Sequence, residues 1–242
     1  MSILVIGDIH GRLDLLEELI KKAPLGVALC FVGDLIDRGP SSAEVVKFVR
    51  EGGHHCVLGN HEDMMAKSVL VGGHYFGDGT QLWMTNFGTA TLTSYGIESP
   101  KEYYNLRGLG TLPPKMVEDA TWMRGLPVYR VFDDPTTPVK LVVSHSGILP
   151  FWNGRDTEDG REGALWDRSF LFEESPGTED LINVFGHTPL KNPTHISNSI
   201  GIDTGAFYTN RLTGYLWPEG RFIGTYGKRA GKPGMKASKE HN

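Results

Sequence analysis

The stretch Ile3-Leu4-Val5-Ile6-Gly7-Asp8-Ile9-His10-Gly11 sets the pattern for the rest of the chain. A short apolar run and a Gly-Asp turn lead into Leu13, Leu16, Leu19 and Ile20, which recur at helical spacing before Pro24 and Gly26 stop the helix. The same order returns twice. Residues 27–32 run into Gly33-Asp34-Leu35-Ile36-Asp37-Arg38-Gly39, and residues 56–58 into Gly59-Asn60-His61-Glu62. Asp8, Asp34 and Asn60 follow one another at intervals of 26 residues, close to the length of a βαβ unit, about 30 residues. Right-handed units return the chain to the same sheet, and ligands gather beyond the carboxyl ends of its strands. The three polar turns are therefore expected to converge on one spot.

At 242 residues the chain suits one large domain, or one domain carrying an insertion. Apolar content of 39% and charged content of 22% supply an ordinary core and surface. A net charge of −5 points to no general affinity for nucleic acid or membrane, so an anionic substrate needs a locally positive site. Cys30 and Cys56 both stand in apolar runs and read as buried free thiols of a reducing compartment. Residues 3–6 are too short and lack the basic flank of a secretion signal. No apolar run approaches the roughly 20 residues of a membrane span. The expectation is a cytoplasmic protein.

Further along, Ser41 and Glu44 have the spacing of a capping box and start a helix through Arg50, ended by Gly52-Gly53. Residues 61–71 form a third helix. Between residues 72 and 125 the strand signal vanishes and aromatics accumulate: Tyr75, Phe76, Trp83, Phe87, Tyr95, Tyr103, Tyr104 and Trp122. Pro113-Pro114 opens another helix, with Met116, Val117, Ala120 and Met123 on one face. This region reads as a helical insert lying over the strand ends, its aromatics serving packing. Strand signals return at residues 128–132 and 139–144, around Asp133-Asp134-Pro135, then at 181–185, 200–202, 211–217 and 221–226, the last two joined at Glu219-Gly220. Such hairpins imply antiparallel members and hence a mixed sheet or a second sheet. One domain is thus expected over residues 1–227. Residues 228–242 carry five Lys or Arg and three Gly or Pro, and read as a flexible basic tail.

Asp, His and Asn are ligands for ions such as Mn²⁺, Fe²⁺ or Zn²⁺. Taken singly, each turn has an ordinary reading, Asn60 for example as a helix cap. Together they are specific, and they continue through Val143-Ser144-His145-Ser146-Gly147, Phe185-Gly186-His187-Thr188-Pro189 and Asp203-Thr204-Gly205-Ala206. In these motifs, spanning residues 7–206, the sequence resembles the phosphoprotein phosphatase branch of the calcineurin-like metallophosphoesterases. The nearer likeness is to the short bacterial and phage serine/threonine protein phosphatases of the lambda type. The resemblance implies an α/β, four-layer sandwich of two mixed β-sheets flanked by helices, with a helical insert.

It also implies two divalent ions, Mn²⁺ first in expectation and Fe or Zn as alternatives. Asp8 and His10 would hold one ion, Asp34 would bridge both, and Asn60, His145 and His187 would hold the other. Independently, His145 and His187 each end a β-rich run, which projects their rings at strand ends. Two ions bring +4, Asp8 and Asp34 return −2, and a bridging hydroxide leaves +1 for a phosphate dianion. Metal binding lowers the pKa of water from about 15.7 toward 7, so direct attack on phosphorus needs no phosphoenzyme. Arg38, Arg168 (in Leu165-Trp166-Asp167-Arg168) and Asn60 would bind the phosphate. His61 would protonate the leaving group, with Asp37 on its other ring nitrogen and not on a metal.

The expected function is phosphomonoester hydrolysis, with phosphoserine or phosphothreonine in proteins, or a small phosphoester, as substrate. The main rival is a dinucleoside polyphosphate hydrolase. Diadenosine tetraphosphate hydrolases share the scaffold, but their second motif resembles Gly-Asp-Leu-Val-Ala-Arg-Gly and lacks the aspartate found here as Asp37. A nucleic-acid end phosphatase rests on the basic tail alone. A catalytically silent phosphoprotein-binding module is disfavoured because every motif residue is present. The chain departs from its relatives at Asn86-Phe87-Gly88, where Asn-Gly-Gly is common, and at Ser146, where Ala or Gly is common. It also lacks the long carboxyl-terminal elements of the eukaryotic enzymes.

Overall fold

A computed structural model of the chain describes residues 2–71, 79–169, 178 and 180–225. The first sheet contains β1 (Ile3–Ile6), β2 (Ala28–Phe31), β3 (His55–Cys56), β9 (Thr213–Trp217) and β10 (Arg221–Gly224), in the order β10-β9-β1-β2-β3. β1, β2 and β3 are parallel, while β9 runs antiparallel to β1 and forms a hairpin with β10. The second sheet contains β4 (Tyr129–Phe132), β5 (Lys140–Ser144), β6 (Leu181–Phe185), β7 (Thr194–Ile196) and β8 (Ser199–Gly201), ordered β4-β5-β6-β8-β7. Its centre, β5-β6-β8, is parallel, with antiparallel β4 and β7 at the edges. Both sheets are mixed, as expected.

Side-chain alternation explains the layers. Ile3 and Val5 face the second sheet, packing with Cys30, Val32 and Val57 against Leu141, Val143, Val184, Ile200 and Ile202. Leu4 and Ile6 face the other way and bury α1 (Leu13–Lys22) through Leu15, Leu16 and Leu19. Strands covered on both faces read as unbroken apolar runs, which is why β1 shows no polar alternation. Each such side chain contributes about 1.5–3 kcal/mol of burial. Cys30 and Cys56 lie in this core as free thiols, and burial pushes the Cys30 thiol up to about 12.

Helix α2 (Ser42–Glu51) follows the second turn and α3 (Asn60–Leu70) the third. Beyond α3 come α4 (Thr80–Thr85), α5 (Gly88–Ser94), α6 (Pro100–Leu109) and α7 (Pro114–Arg124), with no strand among the described residues before β4. The capping box at Ser41 is not formed, because the Ser41 side chain makes no cap bond. Its N–H is drawn to the Gly11 carbonyl at 3.0 Å, and it is the Ser42 hydroxyl that accepts a turn N–H, that of Asp37. β7, α8 (Glu158–Trp166), α9 (Ala206–Thr209) and the 3₁₀ turn Leu149–Gly154 have no clear sequence signal, being short or lacking apolar period. The tail at 228–242, with Tyr75, Phe76 and Tyr226, lies outside the described residues. Among the described residues no helix is long and apolar enough to cross a membrane.

Candidate metal centre

Turn chemistry puts the polar side chains together. The N–H groups of Ile9 and His10 both donate to the Asp34 carbonyl, at 3.0 and 2.9 Å, and that of Gly11 donates to Leu35 at 2.8 Å. The first turn is thus stitched to the second largely by backbone groups. These turns need unusual dihedrals: φ is positive at His10, Asp34, Asp37, Arg38 and His187, between 47° and 69°. A left-handed backbone costs an L-residue roughly 1–2 kcal/mol, so strain of this kind collects at functional sites. The second sheet enters through His145, just beyond β5, whose Nδ1 donates to the Val32 carbonyl at 2.9 Å. Beyond β6, Gly186 lets the chain pass so close to Asp8 that a Cβ there would fall onto its carboxylate. The N–H of His187 then donates to both Asp8 oxygens, at 3.2 and 3.1 Å.

The donor atoms that face one another are mostly acceptors. Because His145 Nδ1–H is spent on Val32, its Nε2 presents a lone pair. That nitrogen lies 2.8 Å from Asn60 Oδ1, 3.1 Å from His187 Nδ1 and 3.3 Å from Asp34 Oδ1. His10 Nδ1–H is likewise given to the Ile36 carbonyl at 2.9 Å, which aims Nε2 toward Asp34 Oδ2, 3.5 Å away. Asp8, Asp34 and His145 offer atoms within 4.8 Å of one another, as do His10, Asp34 and His61, so Asp34 belongs to both groups. Lone pairs in mutual contact repel unless a cation sits among them, and second bonds of this kind are what orient ligating imidazoles. The residues fit a pair of divalent ions.

Charge tells the same story. Burial, with Asp203 and Asp34 nearby, drives Asp8 well above the usual carboxylate range, and burial raises Asp203 to about 6. Burial would raise Asp34 too, yet His145, His61 and His10 around it hold it below the usual range. Burial keeps His10 and His145 below the ordinary imidazole value, and burial with His145 takes His187 to about 3. Carboxylates crowded together beside rings that burial disfavours as cations are surroundings that a bound metal ion would relieve.

His61 stands apart. Its Nδ1 meets Asp37 Oδ2 at 2.6 Å, and its Nε2 lies 3.8 Å from Asp34 Oδ2. Burial lowers the ring, but Asp34 and the Asp37 hydrogen bond outweigh that and raise its pKa above the ordinary value. Arg38 is half-buried, touching His10 Nε2, 3.3 Å from His61 Nε2, and lying over the exposed Tyr208 ring at 5.6 Å. Arg168 is exposed, its Nε 3.3 Å from His187 Nε2. All ten candidates therefore lie around one spot.

Four further residues enter the site without having been singled out by the motifs. Glu62 is fully buried and accepts N–H groups from Asp34, Leu35 and Gly59 at 2.7, 2.8 and 3.1 Å. Asp203 adds a third buried carboxylate beside Asp8 and Asp34. Trp83 and Thr91, from the insert, reach the Asp37 carboxylate. Glu62 and Asp203 stand inside the quoted stretches, so a signal existed. For Trp83 and Thr91 there was none, since the contacts join segments 46 and 54 residues apart.

Comparison with known proteins agrees with this geometry. The family profile described as Calcineurin-like phosphoesterase matches residues 1–216. A curated relative from Anoxybacillus flavithermus, named Bis(5'-nucleosyl)-tetraphosphatase PrpE of the asymmetrical type, is 29% identical over 89% of this chain and 90% of its own. The protein of the same name from Oceanobacillus iheyensis is 28% identical over 92% and 91%. Among solved structures, one described as a diadenosine tetraphosphatase by provisional assignment covers 95% of both chains with a TM-score of 0.62 at 23% identity. A serine/threonine phosphatase from Saccharomyces cerevisiae covers 93% of this chain and 79% of its own, with a TM-score of 0.56 at 14% identity. At such identities the structures speak for the fold alone. The profile covers most of the chain and every candidate ligand, and so the chain belongs to the calcineurin-like phosphoesterases, metal-dependent phosphoester hydrolases built on a dinuclear centre.

Proposed function

We propose that the chain hydrolyses bis(5'-nucleosyl) tetraphosphates asymmetrically, releasing a nucleoside triphosphate and a nucleoside monophosphate. The likeness to relatives bearing that name, at 28–29% identity over about nine-tenths of each chain, carries the reading. It displaces the expectation of a protein phosphatase. Asp37 favours monoesters, but the curated relatives weigh more because they match along about nine-tenths of the chain rather than at one residue.

In this reading Asp8, His10, Asp34, Asn60, His145 and His187 would together hold the two ions. When bound, the ions supply Lewis acidity and a nucleophilic water at neutral pH, with Mn²⁺ our first choice. Arg38 and Arg168 grip phosphate oxygens, a task suited to the planar guanidinium fork. His61 delivers a proton to the departing oxygen, and Asp37 holds the ring so that Nε2 faces the reaction.

The Asp37–His61 pair favours a second reading, phosphoserine or phosphothreonine hydrolysis. An alkoxide leaves poorly without a proton, whereas a nucleotide phosphate leaves readily. Metal-loaded protein should therefore be given diadenosine tetraphosphate and a phosphoserine peptide in parallel. The main reading expects ATP and AMP from the first at the higher kcat/KM. Two ADP molecules, or faster turnover of the peptide, would overturn it.

A further inference from the structure

Asp37 is fully buried and its carboxylate meets three donors. Oδ2 takes His61 Nδ1 at 2.6 Å. The indole Nε1–H of Trp83, on α4, is shared between both oxygens at 3.1 and 3.0 Å. The Thr91 hydroxyl, on α5, donates to Oδ1 at 2.5 Å. The same hydroxyl and that of Ser42 accept the Asp37 N–H, at 2.9 and 3.0 Å. Asp37 has φ of 69°, a conformation it holds against its own preference. A carboxylate carries four lone-pair directions, and here each oxygen meets two donors. It has no freedom to rotate, and neither has the ring bonded to it.

From these contacts we infer that Trp83 and Thr91 are positioning residues for His61: the helical insert takes part in proton delivery by fixing the carboxylate that fixes the ring. This rests on the acid role proposed above for His61, though not on the identity of the natural substrate. Neither residue touches a candidate ligand in these contacts, so the metals should be indifferent to them. The indole itself is seated by Gly88. A Cβ at that position would lie 2.8 Å from Trp83 Cε2 and Nε1, which makes Gly88→Ala a way to displace the ring without altering it.

The test uses the full metal-loaded chain with p-nitrophenyl phosphate and phenyl phosphate, the second having the poorer leaving group, a phenol with pKa about 10. Loss of an oriented acid hurts the poorer leaving group more, whereas a general loosening hurts both alike. Trp83→Phe and Thr91→Val should lower kcat for phenyl phosphate about 10- to 100-fold, the usual effect of removing a supporting hydrogen bond. The loss on p-nitrophenyl phosphate should be smaller, with KM and metal content held. Thr91→Ser, which keeps the hydroxyl, should restore the rate, and Gly88→Ala should imitate Trp83→Phe. In a His61→Asn background Thr91→Val should cost nothing more, because the ring it orients is gone.

Equal losses on both substrates, a further loss in the His61→Asn background, or loss of metal would overturn the inference. If His61→Asn itself shows no leaving-group dependence, the acid role falls instead. A chain that turns over neither ester is judged by NMR. The Trp83 indole N–H resonance should move in Thr91→Val and in His61→Asn, since all three groups share one carboxylate, and an unmoved resonance would overturn the inference as surely.

Discussion

The turns after β1, β2 and β3 and the helices α4 and α5 end on the same few side chains, by opposite means. The turns are joined mainly through backbone N–H groups, two of them taken by the Asp34 carbonyl and those of the second and third turns gathered by one side chain, Glu62. The helices are joined to the site through side chains, an indole and a hydroxyl on one carboxylate. Backbone joints tolerate changes of side chain and hold the ligands regardless of what the insert does. Side-chain joints are lost with a single substitution. Metal binding and proton delivery should therefore be separable by mutation along this boundary.

The largest effect is expected on the backbone-built side. Asp34→Asn removes the one carboxylate common to both candidate ligand groups and leaves Asp8, His10 and His145 without their shared partner. Activity should fall by more than the ~10²–10⁴-fold assigned to an acid alone, and metal content by elemental analysis should fall with it. His61→Asn, on the other side, should keep its metal. Retention of two ions by Asp34→Asn would dissolve the proposed division.

What the sequence disclosed follows the same boundary. The interval between Asp8, Asp34 and Asn60 is a property of the parallel sheet, in which each strand–turn–helix unit has nearly fixed length, so spacing by itself places the turns together. His145 and His187 are legible because each closes a strand. Trp83 reads as packing, and it is buried at 0% exposure, but burial carries no mark of the polar atom its Nε1 meets. Ser41 looks like a cap by spacing, yet its side chain makes no cap bond and its N–H goes instead to Gly11. Such bonds depend on how distant elements dock, and no local period encodes docking. The substrate is least legible of all, since Asp37 and His61 suit more than one leaving group.

A middling effect is expected where the second and third turns are clamped. Burial and the Asp34 charge push the Glu62 carboxyl up to about 8, while His61 and its backbone N–H donors pull it down. Both of its oxygens accept backbone N–H groups in the structure, the arrangement of a carboxylate. Glu62→Gln would then turn one acceptor into an NH₂ facing an N–H, leaving buried donors unpaired at about 1–3 kcal/mol. The melting temperature should fall by about 2–4 °C for each kcal/mol. A melting temperature unchanged from wild type would mean that the turns do not need the clamp.

The smallest effect concerns the departure at Asn86-Phe87-Gly88. Phe87 caps α5 with φ of 71°, yet its side chain is 51% exposed and so gains little in return. A left-handed backbone costs an L-residue roughly 1–2 kcal/mol, while glycine there gives back about 0.5–1 kcal/mol in chain entropy. Phe87→Gly should therefore stabilise the protein by about 0.5 kcal/mol, read as a small rise in the denaturant midpoint with unchanged slope. Gly88 and Trp83 are untouched by it, so the leaving-group dependence should stay as in wild type. A rise in stability with that dependence intact would show that strain at the start of α5 is incidental to holding Asp37. A fall in stability would instead give the Phe87 ring a packing role that outweighs its backbone.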